Sequence, residues 1–344
     1  MSKKKILVGM SGGVDSNIAV KALIDVGYDV VGATLVMSDD TDAEKAKKAA
    51  EKLGIEHFSL DCRALFEKRV IDNFVSEYLC ARTPNPCVVC NRLVKFRVLC
   101  DFAKEIGADH VSTGHYVGVK SENGRYYISK GADARKDQSY VLWNLSQDEL
   151  EMLYFPLELS EKSDVMRDAE GLGLVPADYS ESQDICFIPS NDHVSFIEKR
   201  AGKSVCGDFV DDDGRVVGKH RGIINYTIGQ RKGLGLSMGY HVFVSEIDAD
   251  ANTVRVSTED KLFKTELTCS GLNFQKLAPM DYSGLRLNVK IRYAAKPAPA
   301  TVSVKNDVAT VVFDSPVRAA TAGQSAVFYD GDDVMFGGFI DKSQ

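Results

Sequence analysis

Short apolar runs alternate with helical periodicity through the first third of the chain. Lys5-Ile6-Leu7-Val8-Gly9 has lysines before it and glycines after it, which reads as a strand buried on both faces of a parallel sheet. Residues 29–37, His57–Leu60 and His110–Thr113 are further buried strands. Between them, residues 17–24 place apolar side chains at helical spacing and close on Gly27, and residues 42–53 form a helix rich in Ala and Lys. Helices are also expected from about 63 to 78 and from 91 to 106. Strands alternating with helices imply right-handed crossovers and an α/β, doubly wound parallel sheet. Such sheets bind ligands at the carboxyl ends of their strands, where Ser11, Met37 and Gly114 fall. Met37 and Gly114 are candidate walls for an adenine.

The pattern then changes. Two strand-like pieces, Val117–Lys120 and Arg125–Ser129, are followed by helical signals at 146–152 and at 160–171, the latter with Ser160 as its cap. From about residue 203 short strands and glycine turns dominate, and after Asp260 only strand-like runs remain, among them 286–293, 300–305, 309–313 and 326–329. That reads as a small β-barrel. The expected division is 1–202 for an α/β catalytic domain, 203–262 for a β-rich central domain and 263–344 for a C-terminal barrel.

Composition is that of a globular protein, 44% apolar and 26% charged. No apolar stretch reaches membrane-spanning length and the first residues lack a signal peptide's apolar core, so a cytoplasmic protein without a membrane partner is expected. Eight cysteines in such a protein read as thiols, metal ligands or catalysts rather than a disulfide framework. The net charge is −7, yet residues 214–235 carry Arg215, Lys219, Arg221, Arg231 and Lys232 with no acid, and residues 286–306 carry Arg286, Lys290, Arg292, Lys296 and Lys305 with none. Two such stretches suggest a confined polyanion-binding surface, or else ordinary solvated strand faces.

Met10-Ser11-Gly12-Gly13-Val14-Asp15-Ser16 lies between the first strand and the first helix. Glycines there let the backbone approach phosphate oxygens, Ser11 and Ser16 add hydroxyls, and the helix N-terminus adds unpaired N–H groups. The turn holds no lysine, so it is not the phosphate loop of ordinary ATPases. It resembles the PP-loop of the ATP pyrophosphatases, which cleave ATP to AMP and pyrophosphate to activate a carbonyl oxygen. That resemblance implies that Gly9, Met10, Ser11, Gly12, Gly13, Val14, Asp15 and Ser16 bind ATP, with Mg2+.

Farther on, Thr83-Pro84-Asn85-Pro86-Cys87-Val88-Val89-Cys90 puts two cysteines on a loop stiffened by two prolines. Cys90 then enters the following helix near its N-terminus, where the dipole lowers a thiol's pKa. The C-x-x-C reads as a redox pair, as metal ligands or as two small residues. Cys186, within Ser180–Pro189, is either buried or presented at the mouth of a pocket. Tyr226–Gly235 mixes three glycines with two cations, so its backbone can approach a phosphate chain.

Together these segments resemble the tRNA-specific 2-thiouridylases, PP-loop enzymes that thiolate the wobble uridine, U34. The matched residues are Gly9–Ser16, Thr83–Phe96, Thr113–Tyr116, Arg135–Tyr140, Ile185–Ile188, Tyr226–Gly235 and Gly323–Gly338. The resemblance implies adenylation of the C2 carbonyl oxygen of a base taken out of its stack, then displacement of AMP by sulfur. It makes Cys90 a nucleophile and Cys186 the bearer of a persulfide. It places Asn85, Pro86 and Cys87 against the target base, and His115, Lys136, Asp137, Gln138, Arg292, Tyr293 and Gln324 against tRNA. The sulfur donor would be a cysteine desulfurase, a relay protein or sulfide. Where better-known members carry aspartate, this chain has Cys87. The two-plus-one set Cys87, Cys90 and Cys186 is similar to that of cluster-dependent tRNA thiolases in the same superfamily, which implies a candidate [4Fe–4S] cluster on these residues. A PP-loop ligase or thiolase acting on a small molecule or another tRNA position would need only the front domain, and a non-catalytic RNA-binding protein would not need the loop and all three cysteines.

Overall fold

The computed structural model describes residues 3–175, 185–188 and 192–343. Strands β1 (Lys5–Gly9), β2 (Asp29–Val36), β3 (Glu56–Asp61) and β4 (His110–Thr113) form a parallel sheet in the order β3-β2-β1-β4. Period-two alternation divides β1 between two cores. Ile6 and Val8 join Val20, Leu23, Ala46 and Ala50 of helices α1 (Val14–Asp25) and α2 (Ala43–Leu53). Leu7 faces the other side, in the cluster that holds Val94, Phe96, Leu99 and Trp143.

That second face is covered by α3 (Arg63–Phe66), α4 (Asp72–Leu79), α5 (Pro86–Cys90) and α6 (Phe96–Glu105). The π turn Glu67–Ile71 joins α3 to α4, and a second, Asn91–Lys95, joins α5 to α6. The cysteine segment is therefore helix rather than loop from Pro86 onward, five residues before the sequence pattern suggests. Proline is favoured in a helix's first turn, and Asn85 caps it by accepting from the Cys87 N–H at 3.1 Å.

The hairpin β5 (Val117–Glu122) and β6 (Arg125–Lys130) precedes α7 (Gln147–Met152), α8 (Lys162–Gly171) and α9 (His193–Ala201). Ser146 and Glu149 form a capping box on α7. The cap of α8 is Glu161, with no side-chain hydrogen bond, so Ser160 does not cap it.

Strands β7 (Gly207–Val210), β8 (Val216–His220), β9 (Phe243–Asp248) and β10 (Thr253–Ser257) make a central sheet in the order β8-β7-β10-β9. The last six strands are β11 (Phe263–Phe274), β12 (Tyr282–Lys290), β13 (Ala298–Lys305), β14 (Val308–Arg318), β15 (Ser325–Asp330) and β16 (Asp333–Ser343). They pair in the order β11-β14-β13-β12-β15-β16, and β16 closes the barrel on β11. Closure removes the sheet edges, and Phe328 stacks on Phe336 inside at 4.1 Å.

The barrel is fused to the α/β layer. Strand β6 bridges β16 at Ser129 and Asp333, so the hairpin extends the barrel's sheet. Trp143 is fully buried, 5.2 Å from Phe339, and a side chain at Gly337 would stand 2.4 Å from its indole. Gln275, also fully buried, donates to the Leu142 and Trp143 carbonyls at 2.9 Å each. Among the described residues no helix is long and apolar enough to cross a membrane.

Candidate active site

Strand β1 ends at a loop built to hold an anion. Gly13 is the N-cap of α1 and supplies no side-chain cap, so the first amides of the helix stay open. Gly12 has φ +74°, and a Cβ there would lie 2.8 Å from the Ala46 nitrogen, so only glycine lets the loop lie against α2. Ser16 Oγ donates to the Gly13 carbonyl at 2.9 Å and accepts from the Ser11 N–H at 3.3 Å, which fixes the curve of the loop. At the end of β4, a Cβ on Gly114 would come 2.6 Å from the Asp15 carbonyl carbon. Gly114 thus lets β4 and the first turn of α1 meet.

Asp15 is held by Lys162, which the sequence pattern did not single out, and by Tyr116 of the matched segment Thr113–Tyr116. Lys162, at the start of α8, places its ammonium 2.6 Å from Asp15 Oδ1, and the Tyr116 hydroxyl donates to the same oxygen at 2.7 Å. Spacing along the chain gives no hint of the 147-residue separation between Lys162 and Asp15.

The loop opens on a cavity of ≈ 1000 Å³. Ser11, Gly13, Val14 and Asp15 line it, together with Met37, with Asn85, Pro86, Cys87 and Cys90, and with Cys186, His115, Lys136, Gln138 and Tyr293. Cys90 is buried with its Sγ 3.8 Å from Met37 Sδ, whereas Cys87 and Cys186 are exposed. Burial pushes the Cys90 thiol up to about 12, and desolvation against the cavity wall raises Cys87 and Cys186 as well, although part of each residue reaches solvent. The thiolate expected from the helix dipole at Cys90 is therefore not favoured: Cys90 is the fifth residue of its helix, beyond the first turn, and it is desolvated. Among the described residues no three His, Cys, Asp or Glu side chains converge to hold a metal ion.

His115 is buried against Phe96 and Phe155, and its Nδ1 lies 2.6 Å from Thr113 Oγ1. Burial, aided by Lys95, lowers its pKa well below the usual value, so the ring is neutral. At the rim, the Tyr293 ring is 46% exposed, meets Tyr140 edge-on, and has the Lys290 ammonium 5.4 Å from its centre. An exposed ring beside a cation can stack a base and draw in its phosphate.

Residues 4–190 match the family described as "tRNA methyl transferase HUP domain", 194–258 the "tRNA methyl transferase PRC-barrel domain", and 264–340 the "Aminomethyltransferase beta-barrel domain". The tRNA-specific 2-thiouridylase MnmA of Acetivibrio thermocellus is 44% identical over 359 residues, covering 99% of this chain and 100% of that protein. Its namesakes from Clostridium perfringens and Clostridioides difficile are 43% and 42% identical, each over 99% of both chains. This chain belongs to the tRNA-specific 2-thiouridylase family.

The residues matched to that family do not all meet at the cavity. Gly9, Met10, Gly12, Ser16 and Gly114 shape the loop from behind, with Met10 buried against the α1–α2 side of the sheet. Asp137 turns inward and accepts from the Ser139 N–H and hydroxyl at 3.0 and 2.8 Å. Arg292 is half-buried, and its guanidinium donates to the Ile228 carbonyl and to Thr321, tying the central sheet to the barrel. Gln324 reaches back from the barrel to the Thr83 carbonyl at 2.8 Å. Of the segment 180–189, only residues 185–188 lie within the described residues.

The basic stretches are narrower than the sequence suggests. Arg215 pairs with Asp213, Lys219 with Asp208, and Arg286 with Asp314. Arg231 and Lys232 are exposed at the tip of the glycine-rich segment 226–235, with no ion pair among the described residues.

Proposed function

We propose that this chain uses ATP to convert the C2 carbonyl of U34 in tRNA to a thiocarbonyl. One observation carries the reading: an uncapped anion loop and the three thiols Cys87, Cys90 and Cys186 open on a single cavity large enough for a nucleotide and a flipped base. Residues 1–202 would hold the chemistry, and the two β domains would hold the tRNA.

In this reading the α1 amides, Ser11 and Ser16 cradle the phosphates of ATP, which arrives with Mg2+, while Asp15 is kept in place by Lys162 and Tyr116. Uracil O2 attacks the α-phosphorus, pyrophosphate leaves, and O2 becomes part of an AMP leaving group. Sulfur reaches Cys186 as a persulfide from a cysteine desulfurase or a relay protein. Its terminal sulfur forms the bond to C2, and the C2–O bond breaks with its electron pair going to AMP. Cys90 then attacks Cys186 Sγ. The S–S bond breaks with its electrons passing to the sulfur on C2, leaving 2-thiouridine and a Cys90–Cys186 disulfide for an external thiol to reduce.

Cys87, Cys90 and Cys186 are also the residues that would hold a [4Fe–4S] cluster, and their donor chemistry suits one. Their placement does not: among the described residues the thiols do not converge on a metal-sized site. The steps above therefore use the thiols alone.

Product analysis with tRNA present tests the reading. AMP and pyrophosphate should form, and Asp15→Ala or Ser16→Ala should abolish both while circular dichroism stays unchanged. Release of ADP and phosphate by the unaltered protein would overturn the assignment.

A further inference from the structure

Helix 86–105 contains one wide turn, in which the Phe96 N–H bonds the Asn91 carbonyl five residues back. Such turns insert a residue and rotate everything that follows. The ordinary i+4 neighbour of Cys90 is Val94, which is fully buried. Lys95, five residues on, is brought instead to the cavity wall beside Cys87 and Cys90. The other cation of this turn, Arg92, points away and pairs with Glu149 at 2.8 Å. Lys95 is half-buried and has no hydrogen bond or ion pair among the described residues. Among the described residues the one carboxylate on the cavity wall, Asp15, is already taken by Lys162. A half-buried ammonium with no partner among the described residues is suited to an anion that comes and goes.

The surroundings indicate which anion. Lys95 is the cation whose field reaches Cys87, Cys90 and Cys186, in each case favouring the anionic sulfur. The phosphate loop, by contrast, has Lys162 and the α1 amides on its own wall.

We propose that Lys95 is a catalytic residue of the sulfur-transfer step, pairing with the anionic terminal sulfur of the Cys186 persulfide as it attacks C2. The inference rests on the thiolation reading above. Lys95 acts as a charge and transfers no proton. It stabilises negative charge on the attacking sulfur and, once the C2–S bond has formed, the charge that builds on Cys186 Sγ as Cys90 displaces it. A fixed charge inside a cavity does this without reorganising at the moment of reaction.

Single-turnover assays on the full chain with U34-containing tRNA, ATP and cysteine plus a cysteine desulfurase separate the two half-reactions. Pyrophosphate release reports adenylation and nucleoside mass spectrometry reports 2-thiouridine. Lys95→Gln should keep pyrophosphate release within about twofold and slow thiolation on the order of 100-fold, as loss of one preorganised donor does. Lys95→Met, which keeps the packing of the stem, should behave alike, and Lys95→Arg should recover most of the rate. Adenylated tRNA should accumulate in the slow variants. Thiolation at the unaltered rate in Lys95→Gln, or equal loss of both half-reactions in Lys95→Gln and Lys95→Met, overturns the proposal. Absence of 2-thiouridine with the unaltered protein overturns instead the functional reading beneath it.

Discussion

The Gln324 side chain of the barrel donates to the Thr83 carbonyl at 2.8 Å, three residues before the helix that carries Cys87 and Cys90 begins. The contact is part of a seam. The Thr83 N–H donates to the Ala322 carbonyl at 2.9 Å, and Gly323 packs so closely that a Cβ would lie 3.0 Å from the Thr83 nitrogen. The barrel thus sets where the cysteine helix starts. Gln324→Ala removes a bond of about 1 kcal/mol, so amide exchange over residues 81–85 should quicken several-fold in hydrogen-exchange mass spectrometry. Exchange unchanged there would mean that the seam holds without Gln324.

Arg231 and Lys232 are exposed, while Arg292 is built into the junction between Ile228 and Thr321. Arg231→Ala and Lys232→Ala should each weaken tRNA binding by roughly 1 kcal/mol and reduce the salt slope by about one unit. Arg292→Ala should instead lower the unfolding midpoint, because it leaves the Ile228 carbonyl and Thr321 without their partner. Filter binding at two salt concentrations and a thermal melt distinguish these outcomes.

His115 has a folded-state pKa well below 6.5, chiefly from burial. Between the folded and unfolded values the unfolded chain binds the extra proton, so stability rises with pH there and is lost as pH falls below about 6.5. One such group contributes up to about 1.4 kcal/mol per pH unit across that window. His57 and His220 are lowered by burial too and add to the slope. Urea unfolding between pH 7 and pH 5 should therefore show falling stability, and His115→Asn should flatten the slope without removing it.

If sulfur moves through Cys186 and Cys90 alone, Cys87→Ala should thiolate tRNA in iron-free buffer while Cys90→Ala and Cys186→Ala should not. A brown, anaerobically purified protein with about four irons per chain, lost together with activity in Cys87→Ala, would reinstate the cluster.

Much of this was legible in residue order. The parallel sheet followed from apolar runs such as Ile6–Val8, and the anion loop from Gly12 and Gly13 at the end of a first strand. The closed barrel followed from the alternation after Asp260. What local pattern could not carry was contact at a distance. Nothing near Lys162 marks it, since it reaches its partner across the domain, and Lys95, though inside the matched segment Thr83–Phe96, owes its direction to a π turn that no spacing rule anticipates. Pro86 reads as part of a stiff loop but is a helix's first residue, which puts Cys90 beyond the first turn and in a desolvated place that spacing does not reveal. The family resemblance implies tRNA contacts for Arg292 and Asp137, and residue order gives no sign that both side chains bond within the chain.

The central claim is tested most directly by nucleoside mass spectrometry of tRNA incubated with the purified protein, ATP and a sulfur-loaded cysteine desulfurase. The account predicts 2-thiouridine at position 34 and nowhere else, one pyrophosphate for each base converted, and no product without ATP. Unmodified U34 under these conditions, or sulfur at another position, would contradict it.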